Sequence, residues 1–476
     1  MNRDAFALVP GAGAELNHRM MDGGDRAPFL SGVLEGFYGR PWSHEQRQRL
    51  FVWMKAWGLN TYFYAPKDDL KHRADWRSCY ASDELTVLES LVRECRGKGL
   101  RFVYGLGPGL DIIYSSEGTR ETLLKRFRQL AGIGVTDFSL LFDDIPDTML
   151  AQDRAVFDSF ADAQATLSNE IWSVLRSECG GERFLFCPTP YCGRMERAQL
   201  GGKGYLDRLG ERLDPSIDIF WTGPEIISSS IAEDHLAALA QTLRRPPLIW
   251  DNLHANDYDL RRLYTGPISG RPLDPKKHMA GILINPNCEF EANFVPIYSL
   301  AHYVQQGADY SPPRTFESGL EAWMEQFGGV GEPWTKEEVQ LLASLYYLPF
   351  ADGPDASRLL SDLRSIVQNG TEASHTARSR FDEWRQRIHS IALKLTELEN
   401  RDLFYTFNRQ WWEIREEMDL IARFLDHRQA HPGESILPRS PEHLPGTYRG
   451  GAIRVMQSLL EMNADGSFEG GRPVDV

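Results

Sequence analysis

Between residues 30 and 305 the chain repeats one pattern eight times: a short apolar run rich in β-branched and aromatic residues, then a longer stretch with helical spacing. The runs are GVLEG from 32, NTYFYA from 60, RFVYGL from 101, FSLLF from 138, FLFC from 184, IDIFW from 217, PLIW from 247 and GILIN from 281. Each is too short for a helix and apolar on both faces, as a strand buried between two layers must be. The stretches between them carry helix signals. In SDELTVLESLVRECRGKG, Leu85, Leu88, Val92 and Cys95 share a face, and Gly97 and Gly99 supply the stop. Ser43 with Gln46 predicts a capping box at the start of the first helix. Strands buried on both faces and joined by helices pair in parallel, and eight such units predict a closed α/β barrel, the (β/α)8 TIM barrel. An open doubly wound sheet is the structural alternative.

A barrel of this kind gathers its chemistry where strands end and the following loops begin. Those positions hold dense polar and aromatic clusters: EGFYGRPW after the first strand, PKDD with Lys67 after the second, and CPTPYCG with Tyr191 after the fifth. WDNLHANDYD follows the seventh strand and NPNCEFEAN the eighth. The sharpest signal is LLFDDIPD, residues 140 to 147, where an apolar strand runs directly into Asp143 and Asp144. Adjacent carboxylates at a buried strand end repel and raise one another's pKa unless a ligand or cation intervenes, so the pair reads as chemistry rather than capping. Asp147 reads as a helix cap. Lys67 is equally well explained as a solvated partner of Asp68 or Asp69. Trp250 alone would be core, but Asn252, His254, Asn256 and Asp257 beside it form a polar shelf. His254 lacks any paired ligand motif and reads as a hydrogen-bonded loop histidine. GLGPG, 105 to 109, lacks the spacing of a dinucleotide loop and reads as a flexible loop bordering the site.

Composition removes other classes. A formal net charge of −15 opposes broad capture of nucleic acid or anionic membrane. The six cysteines are scattered and fit reduced thiols, and the one close pair, CPTPYC, has no second pair or histidine set to complete a zinc site. Residues 1–29 form no secretory signal pattern and read as a flexible segment, and no later run is long and apolar enough for a bilayer, so a cytoplasmic chain is expected. Past residue 306 the pattern changes. YSPPRTFESGLEAWMEQFGG reads as a linker into an α-helical bundle over 307–430. There Trp384, Ile388, Ile391, Leu395 and Leu398 make one apolar stripe, and Trp412, Met418, Ile421 and Leu425 make the inner face of a second helix. Residues 431–476 are Pro/Gly-rich, with a short helix predicted around AIRVMQSLLEM.

Carboxylates, amides and aromatic rings in one pocket suit a carbohydrate, which offers hydroxyls and an apolar ring face. In the usual two-carboxylate schemes the acid and its partner flank the scissile bond. Neighbours on one backbone do not readily straddle a sugar in that way. They suit substrate assistance, in which a 2-acetamido carbonyl attacks the anomeric carbon while one aspartate orients the amide and the other protonates the leaving group.

Seven motifs together, GVLEGFYGRPWSHEQR, NTYFYAPKDDLKHR, LLFDDI, FLFCPTPYCG, WTGP, IWDNLHANDYD and NPNCEFEAN, resemble the catalytic domain of glycoside hydrolase family 84, the O-GlcNAcase family. The resemblance spans roughly residues 30 to 305 and implies a barrel of the kind read above. It also implies a metal-free, cofactor-free, retaining mechanism through an oxazoline. By the same resemblance Asp143 would hold the acetamido N–H, and Asp144 would act first as acid and then as base. Gly36 would touch the sugar through its backbone, and Lys67 would reach a sugar or acetamido oxygen. Tyr191 would position the acetamido oxygen, Trp250 and Cys187 would line the acetyl pocket, Asn252 would bind near the N-acetyl end, and Asp257 and Asn285 would grip outer hydroxyls. The expected partner is a GlcNAc-bearing glycoprotein or glycan, with no nucleic acid or membrane, and the helical segment resembles a stalk that in some relatives pairs two copies. Free or mucin-like glycans, hyaluronan fragments, a catalytically silent GlcNAc-binding protein and a metal-dependent aldolase or phosphohydrolase are the rival readings.

Overall fold

The computed structural model describes residues 27–369, 375–439 and 451–471. All eight expected strands form: β1 Leu30–Glu35, β2 Thr61–Tyr64, β3 Arg101–Leu106, β4 Asp137–Leu141, β5 Arg183–Cys187, β6 Ile217–Trp221, β7 Leu248–Asp251 and β8 Gly281–Ile284. They pair in parallel in sequence order, and β1 closes on β8 with Leu30 opposite Gly281 and Val33 opposite Ile284. The barrel is therefore closed, not an open sheet.

Strand alternation explains why both faces are apolar. Leu30, Leu34, Phe63, Val103, Leu185, Phe220 and Leu283 fill the barrel interior. Their sequence neighbours Val33, Tyr62, Phe102, Phe184 and Ile282 belong to the layer between strands and helices, as does Phe138 on β4. The first helix, His44–Ala56, opens with the expected capping box: the Gln46 N–H donates to Ser43 Oγ at 3.2 Å and the Ser43 N–H to Gln46 Oε1 at 2.8 Å. The helix Ser82–Gly97 buries Leu88, Leu91, Val92 and Cys95, and the chain turns beyond it at Gly99, φ +76.

Two acidic residues at strand ends are structural. Glu35 closes β1 fully buried and accepts from Arg47 Nε at 2.9 Å, Arg47 Nη2 at 2.6 Å and the Tyr62 hydroxyl. Asp251 closes β7 fully buried and takes both arms of Arg271, at 2.8 and 2.6 Å. Burial pushes the Asp251 carboxyl up, but the Arg271 charge and its hydrogen bonds prevail and hold it below the ordinary carboxylate range. Arg271→Leu strands that carboxylate and is expected to cost about 3–5 kcal/mol at neutral pH. The pair's contribution is present above the unfolded carboxyl value of about 3.9 and is lost as pH falls through the lower folded value. The melting-temperature gap between variant and wild type should therefore narrow on acidification. A gap that is constant with pH would contradict this account.

After the barrel a second apolar core runs from Leu263 and Phe294 through the later helices to Phe468. The expected linker is not one: Pro312–Trp323 is a helix, with Ser311 at its N-cap and proline at its first position, where the missing N–H costs nothing. The stripe on His375–Glu397 is placed as expected for Ile388, Ile391 and Leu395, while Trp384 is only half-buried and its indole N–H donates to Asp362 at 3.0 Å. On Arg401–Ala430 the expected Trp412 is wrong by one position. Trp411 is fully buried, in phase with Ile414, Met418, Ile421 and Leu425, whereas Trp412 is 52% exposed under Arg415 at 3.6 Å.

The predicted C-terminal helix forms over Gly451–Ser458, but the residues after it turn into a strand, Leu460–Met462, paired with Phe468–Gly470. The expectation of a flexible start concerns residues 1–29, of which 1–26 lie outside the described residues. Among the described residues no helix is long and apolar enough to cross a membrane.

Candidate active site

At the C-terminal ends of the strands lies a cavity of about 640 Å³. It brings together the ten residues to which the resemblance assigns roles: Gly36, Lys67, Asp143, Asp144, Cys187, Tyr191, Trp250, Asn252, Asp257 and Asn285. They come from the ends of five strands, β1, β2, β4, β5 and β7, and from the start of the loop after β8. The helix Lys336–Ser344 leads into a loop that adds Phe350 to the mouth, 59% exposed.

The two aspartates point in different directions because Asp144 takes a left-handed backbone conformation, φ +49, which aspartate tolerates better than most residues. Asp143 is buried, and its Oδ2 accepts from Lys67 Nζ at 2.7 Å with Arg73 Nη1 at 3.8 Å. Its Oδ1 is buried with no hydrogen-bond partner. Burial pushes the Asp143 carboxyl up, but the Lys67 and Arg73 charges outweigh it and hold the group below the ordinary range. The exception allowed for the pair, an intervening cation, is what the structure supplies: Lys67 and Arg73 stand against Asp143 and keep its neighbour from raising it. Asp144 is exposed to the cavity, its carboxylate accepting from the Tyr191 hydroxyl at 2.8 Å and the Tyr38 hydroxyl at 3.2 Å. Burial pushes both phenols above their ordinary range, so both keep their protons and donate.

Three supporting residues escaped the sequence reading. Arg73 Nη2 donates to the backbone carbonyls of Asp143 at 3.2 Å and Asp144 at 2.7 Å, fixing the turn that splits the pair. Tyr38 holds Asp144 through its hydroxyl and Asp257 Oδ2 through its backbone N–H at 2.8 Å. His72 lies fully buried with Nδ1 2.8 Å from the Gly105 carbonyl, and burial, then Lys67, lower its pKa to about 3. All three lie inside the motifs that carry the resemblance, and their position there was the available signal.

The opposite wall is amide-rich. Asn285 Nδ2 donates to Asn252 Oδ1 at 3.0 Å, Asn252 Nδ2 donates to the Ile226 carbonyl at 2.8 Å, and Asn285 Oδ1 is left buried without a partner. Burial pushes the Asp257 carboxyl up against the pull of backbone N–H groups. Trp250 packs so close to Gly36 that a Cβ there would lie 2.9 Å from the indole ring, so glycine is required for the ring to reach this position. Burial raises the Cys187 thiol far above its usual range, leaving a neutral apolar wall.

Other expectations are corrected or placed. Asp147 caps nothing: it is exposed, and the next helix starts at Ala151 with Leu150 at its N-cap. GLGPG does not border the cavity, since Gly105 and Leu106 end β3 and the Gly107 N–H donates to the His72 carbonyl behind the site. His254 is the expected loop histidine, buried with Nε2 2.8 Å from the Gly266 carbonyl and its pKa lowered by burial to about 4.

The arrangement presents one inward carboxylate oxygen ready to accept a hydrogen bond, a second carboxylate oriented by two phenols, and a wall of amides. The family model for beta-N-acetylglucosaminidase matches residues 31–343. The chain is 40% identical over 354 residues to the Protein O-GlcNAcase of Rattus norvegicus, covering 67% of this chain and 38% of that one. With the Mus musculus Protein O-GlcNAcase it shares 40% over 336 residues, 63% of this chain and 36% of the other. It thus spans little more than a third of the length of these relatives. Among solved structures, a mutant of the Thermobaculum terrenum O-GlcNAc hydrolase superposes with a TM-score of 0.70 at 27% identity, covering 84% of this chain and 83% of its own. CpGH84B, at 24% identity and a TM-score of 0.72 over 84% of this chain and 69% of its own, shows the fold alone. The chain belongs to the beta-N-acetylglucosaminidase family, the glycoside hydrolase family 84 that its motifs resemble.

Proposed function

We propose that this chain is a retaining exo-β-N-acetylglucosaminidase that removes O-linked GlcNAc from serine or threonine by substrate assistance. The observation that carries the reading is the buried, unpartnered Oδ1 of Asp143 beside Asp144, which two tyrosine hydroxyls hold. Asp143 Oδ1 accepts the acetamido N–H, which makes the acetamido oxygen a better nucleophile toward the anomeric carbon. Asp144 gives its proton to the departing oxygen, and an oxazoline forms as the oxazolinium ion, its N–H still held by the Asp143 carboxylate, whose negative charge balances it. The Asp144 carboxylate then takes a proton from water, which opens the oxazoline from the face the leaving group vacated, so configuration is retained. Asn252, Asn285 and Asp257 hold the hydroxyls and N-acetyl end, while Trp250 and Cys187 exclude water from the acetyl group.

The test is a series of aryl β-GlcNAc substrates with fluorine progressively replacing hydrogen on the N-acetyl methyl, assayed with EDTA present. Fluorine drains electron density from the carbonyl oxygen, so the rate should fall steeply along the series. A flat series overturns the reading, and loss of activity to EDTA alone would point to the metal-dependent rivals.

A protein substrate rather than a free glycan is supported by the exposed Phe350 at the cavity mouth, whose loop is clamped to the barrel. The Thr265 and Gly266 N–H groups donate to the carbonyls of Tyr346 and Tyr347 at 2.6 and 2.7 Å, and Arg262 Nη2 to that of Pro349 at 3.1 Å. Covering this ring with a peptide is worth roughly 1 kcal/mol. Phe350→Ala should therefore raise KM for an O-GlcNAc peptide about fivefold and leave a small aryl glycoside nearly unchanged. Equal effects on both substrates would contradict the protein-substrate assignment. Six free cysteines support a reducing, cytoplasmic setting. Pairing of two copies through the helices, supported by exposed Trp412, Tyr405 and Leu393, would give a species of twice 54.2 kDa in sedimentation, and a monomer would overturn it.

A further inference from the structure

The long helix Arg401–Ala430 ends in the sequence HRQAHPGE, residues 427 to 434, far along the chain from the barrel site. His427 lies in the last turn and His431 is the C-cap residue, its N–H donating to the His427 carbonyl at 2.9 Å, which brings the two side chains together at the helix end. Their rings stack with centroids 4.5 Å apart and an interplanar angle of 29°. Gly433, φ +97, then reverses the chain so that Glu434 folds back, its N–H donating to the His431 carbonyl at 3.0 Å. His427 Nε2 lies 3.4 Å from Glu434 Oε2, and one donor atom from each of the three residues lies within 4.8 Å of the other two.

Two further observations point to a ligand. His431 Nδ1 is 3.2 Å from the His427 carbonyl, and because a carbonyl only accepts, Nδ1 carries the proton and Nε2 keeps a free lone pair. A histidine that ligates a metal is commonly fixed in this way through its other ring nitrogen. On the inner side, the His427 side chain is only 13% exposed, and its Nε2 is buried without a hydrogen-bond partner. A buried imidazole nitrogen that faces a carboxylate at 3.4 Å without a hydrogen bond to it is unfavourable, and a cation bound between the two removes the deficit.

We propose that His427, His431 and Glu434 form a binding site for a divalent cation of the zinc class. Two imidazole nitrogens and one carboxylate oxygen suit zinc, and disfavour magnesium and calcium, which take oxygen donors. The site leaves at least one position for water. Its effect is structural: the ion ties the last turn of the helix to the segment leading to Leu437. Leu437 pairs with Phe468 and so anchors the C-terminal strands to the helical core.

The full-length protein, stripped with chelator and dialysed, is titrated with Zn²⁺ by calorimetry beside His431→Ala and Glu434→Gln. One ion per chain is expected. His431→Ala should weaken binding by more than about tenfold, since even residues behind the ligands are worth that much, and Glu434→Gln should weaken it by less. Zn²⁺ should raise the melting temperature of the wild type and not of His431→Ala, while aryl-glycoside turnover, which also verifies folding, stays equal in all three proteins. No uptake by the wild type overturns the proposal. Uptake unchanged in both variants also overturns it, placing the ion on cysteines or on carboxylates elsewhere.

Discussion

Asp144→Asn is expected to lower kcat/KM on a serine-linked GlcNAc substrate by about 10²–10⁴-fold, the usual worth of a placed general acid. An aryl glycoside that departs as a stable phenolate should lose far less, because little protonation is needed to release it. For that substrate the second step then becomes limiting: no carboxylate remains to take the proton from water, so the oxazoline accumulates and kcat and KM fall together. Azide, which attacks without a base, should restore turnover and give the β-glycosyl azide. The side chain suits this exchange of roles because the Tyr38 and Tyr191 hydroxyls aim it while leaving it exposed to the cavity. Equal losses on the two substrates, or no rescue by azide, would remove Asp144 from the acid and base roles.

The barrel was legible because each strand is apolar on both faces, and the helices between carry stop and cap signals that do not depend on distant residues. The site was legible for a related reason: a parallel barrel sends every strand end to one rim, so residues scattered from Gly36 to Asn285 converge without any long-range guess. What stayed hidden depends on how loops fold back. Arg73 closes the motif that holds Lys67, but residue type alone does not set it apart from Arg77; Arg73 grips the backbone of the aspartate pair while Arg77 pairs with Asp111 at 2.5 Å on the surface. Phe350 lies 57 residues beyond the last strand-end motif, which ends at Asn293, and reaches the mouth because its loop hydrogen-bonds to Thr265 and Gly266. Trp411 and Trp412 are both plausible inner residues by composition, and only the phase fixed by Ile414 and Met418 decides between them. The cations that hold Asp143 below the ordinary carboxylate range, Lys67 and Arg73, come from the loop after β2, so adjacency of the two aspartates alone does not reveal which of them is held ionised.

Asp143→Asn is expected to slow both the serine-linked and the aryl substrate by roughly 10²–10³-fold, as loss of a placed electrostatic stabiliser does. The reason lies in which oxygen is already occupied. Oδ2 accepts from Lys67 at 2.7 Å, and Oδ1 is the free buried acceptor. Asparagine has one oxygen for these two positions. If that oxygen stays with Lys67, its NH₂ faces the acetamido N–H, donor against donor; if it turns to the substrate, NH₂ faces the lysine ammonium. Either way one of the two contacts is lost, together with the negative charge that steadies the forming oxazoline. Cyclisation is then slow whatever the leaving group, so both substrates suffer alike. Because asparagine keeps the shape of the side chain and one acceptor, the fold should survive, with an unchanged circular dichroism spectrum. The ratio of losses on the two substrates therefore separates the neighbours: wide at position 144 and close to one at position 143. A reversed pattern would exchange their roles, and full aryl activity in Asp143→Asn would mean that the acetamido group is not the nucleophile.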